Sequence, residues 1–596
     1  MMKYPLTFLV FVVLAACKPS AKQESAVTET KKSFNDFLDA YFEERLQLYP
    51  LEATQIGDNR YNDLLPNDIT ESYVAKQREF YARYQSELSE YDSATLSRQE
   101  QVSYGIFKGE MARHLRGLAF HDNYMPVQQF WGMTLTIPQI GSGESFQPFK
   151  TVKDYDDFLK RIDGFAIWMD TAIVNMRKGL ATGMEFPKIL MERVLPQAKD
   201  MIVKDVKKSI FWQPITHMPE DISAADKARL TEAYKKAITE KIVPSYKNLY
   251  DFLKNEYIPK TKTTAGISDI PGGHAYYQYL INYWTTTDLT PNEIYNTGIA
   301  EVERITEEMD AIRKQVGFSG DLKTFFTFVK SDKKFMPYKT PAEVIEGFNV
   351  IHRTMEPQLK KLFKLVPKTG FEVKQTEAFR AASASAEYVQ GTPDGTRPGV
   401  FYVPILDAKK YNYTGMESLF LHEAIPGHHY QISLQQENTE LPRFRRFISY
   451  GAYVEGWALY TESLGKELGL YTDPYRYFGH LSHEMHRAIR LVVDVGIHTK
   501  GWTREQAIQY MMDHEATSEQ SAVAEIERYM AIPGQALSYK IGQLKISALR
   551  QRAETALGDK FVLASFHDEV LKYGCLPLNI LESLIDSWIE TQKQKA

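Results

Sequence analysis

The chain has 596 residues, of which 43% are hydrophobic, 13% aromatic and 25% charged, a globular balance with enough apolar material for a large core. A net charge of -5, with no basic stripe or stacking platform, argues against nucleic-acid binding. Only Cys17 and Cys575 are present, which rules out a disulfide framework.

Residues 1–16 read as a secretion signal. Lys3 gives the positive start, residues 8–16 form an apolar run too short to span a bilayer, and Leu14-Ala15-Ala16-Cys17 fits cleavage before a lipidated cysteine. This pattern resembles the lipobox of bacterial lipoproteins, which implies a diacylglyceryl group on Cys17 as the mature first residue. Lys18 stands where an aspartate is associated with inner-membrane retention, so the resemblance points to the outer membrane, facing the periplasm. With Cys17 acylated, Cys575 has no partner and reads as a packed core thiol. The rest of 17–32 is a polar, flexible tether. No later stretch approaches the roughly 20 apolar residues of a spanning helix, so membrane contact is expected through the lipid anchor alone.

Residues 33–596 show no interior linker, low-complexity tract or repeat and read as one large domain, mainly α. Apolar residues recur at three- and four-residue spacing over 33–48, 70–90, 154–177, 224–252, 291–316 and 341–365, with Pro291 and Pro341 placed at helix starts. The tail from 443 to 592 reads the same way. The expected body is helical, cleft into two lobes, with a small β element beside the cleft. That element is a hairpin: 386–390 and 399–405 are rich in Val, Tyr and Phe, and Gly391 to Pro398 between them carries strong turn chemistry. A free strand edge along the cleft could pair with an extended peptide.

The stretch 416–431 contains His422-Glu423-Ala424-Ile425-Pro426-Gly427-His428-His429, with three imidazoles and one carboxylate competent to hold a metal within eight residues. Imidazole nitrogen and carboxylate oxygen suit zinc, and a catalytic zinc keeps three protein ligands and one open position. In the related His-Glu-x-x-His pattern both histidines share a helix face and the glutamate is the general base. Here the second histidine comes late. On an unbroken helix His428 would lie about 120° from the face of His422, and His429 about 10 Å further along it. Neither reaches a common ion at bonds of about 2 Å. Pro426-Gly427 therefore predicts a break that swings one of the pair back beside His422, and spacing leaves His428 and His429 both open. The stretch resembles the His-Glu-Phe-Gly-His of thimet-oligopeptidase-like and thermostable-carboxypeptidase-like enzymes, which implies His428.

A third ligand must come from elsewhere. Residues 451–462 predict the next helix and offer Glu455 and Glu462, seven apart and roughly on one face. A glutamate on a buried face among Tyr453, Val454, Trp457 and Leu459 needs a partner charge, which a metal ion would supply. Two histidines followed by a glutamate from the next helix resembles the glutamate-zincin peptidases, and on that resemblance Glu455 is the expected ligand, with Glu462 the alternate, either facing solvent or orienting the site. Many of those enzymes place a further acid three or four residues after the ligand, but Ala458 and Leu459 stand there in this chain.

One Zn2+ would acidify a water, Glu423 would take its proton and return it to a leaving amine, and a donor is needed for the developing oxyanion. Candidate donors are Tyr529 and Tyr539, which flank a second Pro-Gly break at Pro533-Gly534, and His498, spaced by four from Asp494 and by eight from Arg490. Arg490 with Asp494 reads as a structural ion pair. His483 and His486 lack a matching acid for a second metal site.

His-Glu-Ala-x-Pro-Gly-His-His at 422–429, Glu-Gly-Trp-Ala-Leu-Tyr at 455–460, Arg-Leu-Val-Val-Asp-x-Gly-Ile-His at 490–498, Pro-Gly-Gln-Ala-Leu-Ser-Tyr-Lys-Ile-Gly at 533–542 and Thr-Thr-Thr-Asp-Leu-Thr-Pro at 285–291 together resemble the bacterial family called domain of unknown function 885. The resemblance covers most of the chain after the tether. It implies a mainly helical zincin-like (gluzincin-like) fold, a zinc site and a metallopeptidase activity, on substrates that are not established. The leading expectation is a zinc peptidase acting on short peptides. A zinc hydrolase of a non-peptide amide or ester, acting on a small molecule such as a cell-wall fragment, is the second. A binding lipoprotein with an inert metal is the third, and Glu423 weighs against it, because a structural zinc has four protein ligands and no use for a base.

Overall fold

The computed structural model describes residues 32–377, 381, 385–392 and 395–594. The signal segment, Cys17 and most of the tether lie outside the described residues. The body is mainly helical with one small sheet, as the periodicity predicts. Helices form at Phe34–Leu48, Glu71–Leu88, Val152–Thr182, Pro291–Gln315 and Pro341–Leu362. Each begins on a Ser or Thr whose side chain accepts the N–H three residues on: Ser33, Thr70, Thr151, Thr290 and Thr340. The stretch expected as one helix over 224–252 runs as Ala224–Ala237, a wide turn at Ile238–Ile242, and Val243–Phe252. Pro244 explains the wide turn, because it has no N–H to donate and its ring crowds the carbonyl one turn back.

The sheet has three strands in the order β1-β3-β2, with β1 at Phe371–Gln375, β2 at Glu387–Val389 and β3 at Gly399–Val403. The expected hairpin is β2 against β3, antiparallel, with Tyr388 opposite Phe401. Strand β1 was not foreseen. It pairs parallel to β3, Phe371 opposite Gly399, and alternates half-buried Phe371 and Val373 with exposed Glu372 and Lys374, the pattern of an outer strand. Strand β3 is thus paired on both sides, so an edge open to a peptide would have to be that of β1 or β2.

Buried apolar side chains gather into two clusters. The helix Pro474–Thr499 joins them, sending Leu491 and Val495 into one and Met485, Ile489, Val492 and Val493 into the other. Among the described residues no helix is long and apolar enough to cross a membrane.

Candidate metal centre

The helix Met416–Glu423 buries Phe420 and Leu421 and turns Ser418 and His422 to one side. It ends at Ala424, whose φ of -105° and ψ of -110° leave the helical region, and the next bond, Ile425-Pro426, is cis. Gly427 is required here. A Cβ at this position would stand 2.0 Å from the His422 carbonyl oxygen and 2.3 Å from that of Leu421, closer than any side chain allows. The chain folds onto the end of its own helix and resumes as His428–Glu437, with the His429 N–H donating to the Ala424 carbonyl at 3.1 Å. The break is held from outside by the helix Gly451–Glu462. Trp457 donates its indole N–H to the Pro426 carbonyl at 2.9 Å, and Thr461 its hydroxyl to that of Leu421 at 2.9 Å.

This fold-back brings His422, His428 and Glu455 together. One ligand atom from each lies within 4.8 Å of the others. Glu455 Oε2 is 3.5 Å from His422 Nε2 and 3.7 Å from His428 Nε2, and the two rings stand nearly perpendicular with centroids 4.8 Å apart. Three ligands about 2 Å from one tetrahedral ion sit about 3.3 Å from each other, so the donor set fits a zinc ion with little movement. Glu455 owes its place to a tight helix crossing. At Gly542, on the helix Leu537–Leu557, a Cβ would meet the Ala452 carbonyl oxygen at 1.8 Å, and at Gly456 a Cβ would meet Gly542 itself at 2.5 Å.

Glu462 is wholly buried, so the solvent-facing alternative is overturned. It accepts the His422 Nδ1–H at 2.8 Å and a hydroxyl hydrogen bond from Ser418, with Arg487 Nη2 at 3.9 Å and His480 Nδ1 at 3.8 Å. The acid missing after Glu455 is therefore supplied two helical turns on, holding His422 by Nδ1 so that Nε2 faces Glu455. His428 Nδ1 has no partner among the described residues. His429 points away. Its Nδ1 lies 2.9 Å from the Tyr388 hydroxyl, and its ring packs beside Phe371 of β1.

Burial opposes charge on all these groups, and the pairing decides each outcome. Against that burial, hydrogen bonds with Glu455 and Glu462 lift His422 to about 9, while the two imidazoles take Glu455 down to about 2. Burial dominates for His428, pushed down to about 4. It also raises the Glu423 carboxyl to about 7, with the His422 charge opposing and the Glu455 charge assisting. A carboxyl poised there is suited to accept and return a proton near neutral pH.

The expected donors separate. The Tyr539 hydroxyl is raised first by the charge of Glu455 and then by burial, so it belongs to the same electrostatic neighbourhood, and the Arg490 guanidinium lies 4.5 Å over its ring. Tyr529 is 1% exposed, and its hydroxyl accepts from Arg490 Nε at 3.0 Å and donates to Glu525. Both nitrogens of His498 are taken up by backbone: Nδ1 accepts the Ile267 N–H at 3.1 Å and Nε2 donates to the Tyr529 carbonyl at 3.0 Å. Neither His498 nor the Tyr529 hydroxyl is thus left open for an oxyanion. The expected Arg490–Asp494 pair does not form. Arg490 pairs with Glu525 at 3.2 Å, while Asp494 is drawn aside by the Tyr277 hydroxyl at 2.5 Å and the Gly534 N–H at 3.1 Å. His483 and His486 diverge, to the Ser418 hydroxyl at 3.1 Å and to Glu515 at 2.8 Å. Arg487, whose charge acts on Glu423, Glu455 and Glu462, was not foreseen. In sequence it is one more arginine on a helix, and only packing brings it, half-buried, to these acids.

A family model described as "Bacterial protein of unknown function (DUF885)" matches residues 50–585. The chain belongs to this family. No curated protein matches it. Among solved structures, this DUF885 chain is similar to a "putative lipoprotein" from Colwellia psychrerythraea at 28% identity, TM-score 0.85, covering 94% of this chain and 99% of that one. It shares its fold with a "putative lipoprotein of unknown function" from Shewanella oneidensis, at 21% identity and TM-score 0.74, over 93% and 100% of the two chains.

Proposed function

We propose that this DUF885 protein is a zinc-dependent hydrolase, a metallopeptidase of short peptides, carried as a lipoprotein on Cys17 at the outer membrane and facing the periplasm. What carries the reading is the convergence of His422, His428 and Glu455, with ligand atoms within 4.8 Å, next to a carboxylate in the chain position of a general base. The lipobox pattern at Leu14 to Cys17 and the description of the Colwellia psychrerythraea relative support the location.

A zinc ion bound by these three side chains would supply Lewis acidity toward a water and a substrate carbonyl. The remaining work falls to the chain. Glu423, held near neutrality by burial, accepts a proton from the attacking water and delivers it to the leaving nitrogen. Glu462 keeps the His422 Nδ1–H engaged, so that Nε2 is the nitrogen a metal would take, in place of its proton. Tyr539, whose hydroxyl feels the charge of Glu455, is the remaining candidate to donate to the oxyanion.

The test is metal analysis together with a peptide panel. One zinc per chain is expected, with hydrolysis that a chelator abolishes, zinc restores and Glu423→Gln removes while the metal stays bound. Undiminished turnover by Glu423→Gln would exclude the assigned base. Cleavage of esters or non-peptide amides alone would move the reading to a different hydrolase.

A further inference from the structure

A cavity of about 710 Å³ lies between the helix Gly273–Thr285 and the segment Met530 to Pro533, and His422, His428 and Glu455 are not in its wall. That segment leads directly into the helix of Tyr539. The Ser538 hydroxyl donates to the Trp284 carbonyl at 3.0 Å, so the cavity wall and the metal centre share one stretch of backbone.

Two features of the wall call for a ligand. The first is Lys262, whose ammonium nitrogen is enclosed and has no hydrogen-bond partner among the described residues. Glu185 accepts the backbone N–H of Lys262 at 2.9 Å rather than its ammonium. Burial pushes the lysine pKa down, opposed by Asp269 and Glu185. A buried cation without a partner is costly, and such sites are usually completed by an anion or a water. Its four-carbon stem lets the ammonium turn toward the cavity. The wall also carries three acids, Asp68, Asp122 and Glu185, of which Asp68 is engaged by the Trp168 indole N–H at 2.8 Å and Glu185 by the Lys262 backbone N–H. The second feature is aromatic. Trp131, 46% exposed, stacks on Trp284 with centroids 5.8 Å apart, and Tyr283 meets Trp284 edge-on at 5.1 Å. Flat, partly exposed rings in the same cavity as an unpartnered lysine suit an apolar or aromatic group that carries a negative charge.

We propose that this cavity binds the free carboxylate end of a short peptide with an apolar or aromatic last side chain, Lys262 pairing with the carboxylate and Trp131 with Trp284 covering the side chain. The inference rests on the peptide reading of the metal centre and adds to it a preference for the C-terminal end of the substrate.

Binding can be measured without turnover. The full chain, stripped of metal by a chelator, is titrated with N-acetylphenylalanine and with N-acetylphenylalaninamide, following tryptophan fluorescence. The acid should bind about tenfold or more tighter than the amide, a gap of about 1.4 kcal/mol. Lys262→Met should bring the acid down to the amide, and Trp131→Ala, at the exposed rim, should weaken both. Equal affinities in the unaltered protein, a preference that survives in Lys262→Met, or no saturable signal from either probe would each overturn the proposal. Because no metal or hydrolysis enters this measurement, a chain without peptidase activity would sink the catalytic reading while leaving this result standing.

Discussion

His422 donates its Nδ1–H to Glu462 at 2.8 Å, and Glu462 is wholly shut off from solvent. One side of the imidazole is therefore spent on orientation, and only Nε2 is left to face Glu455 and His428. Burial opposes the charge on Glu462, but the Arg487 guanidinium and the hydrogen bond from His422 hold its carboxyl well below the usual range, so it stays ionised. For Glu462→Gln we expect zinc affinity to fall about 10- to 100-fold, the usual effect of losing a carboxylate behind a ligand histidine. Competition with a chromophoric chelator reads this directly, and an unchanged dissociation constant would remove Glu462 from the centre.

His428 and His429 are adjacent in sequence and opposite in surroundings. His428→Ala should leave the purified protein without stoichiometric zinc. His429→Ala should keep the metal while losing the hydrogen bond with Tyr388, about 1 kcal/mol of stability, together with the packing of its buried ring beside Phe371. Elemental analysis of the two variants separates these roles, and zinc missing from the second alone would reverse the assignment.

The crossing at Gly542 sets where Glu455 sits. A methyl group there would stand 1.8 Å from the Ala452 carbonyl oxygen, so in Gly542→Ala the helices Gly451–Glu462 and Leu537–Leu557 must move apart. Overpacking of this kind costs about 1–3 kcal/mol. We expect a lower thermal midpoint and weaker zinc binding together. A midpoint unchanged from the parent would show that the crossing is looser than its geometry indicates.

Burial raises the Asp494 carboxyl to about 7, against hydrogen bonds from Tyr277 and Gly534 that favour the ionised form. The folded pKa lies above the unfolded one, so its contribution to stability is complete below about 4 and is lost as pH rises through about 7. At about 1.4 kcal/mol per unit, the loss is at most about 4 kcal/mol. Asp494→Asn still accepts both hydrogen bonds but cannot ionise. Urea midpoints taken between pH 5 and 8 should decline less steeply in this variant than in the parent, and parallel slopes would contradict the assignment.

Much of this protein is local and therefore legible in one dimension. Helix positions follow from apolar spacing and from Ser and Thr caps, the hairpin of β2 and β3 from its turn residues, and the break after Glu423 from Pro426-Gly427, because each depends on neighbours within a few residues. Strand β1 escaped notice because its parallel partner β3 is 28 residues away in register, Phe371 against Gly399, and nothing in five residues announces such a pairing. The metal motif was visible as chemistry, yet spacing could not choose between His428 and His429. That choice depends on how the chain turns at Gly427, which the carbonyls of Leu421 and His422 and the indole of Trp457 constrain together. Tertiary structure alone turned Glu462 inward, brought the Arg487 charge to bear on three acids, sent Arg490 to Glu525 instead of Asp494 and gave both nitrogens of His498 to backbone. A side chain's charged or hydrogen-bonding partner is set by which helices cross and how closely, and that is fixed only when the whole core packs.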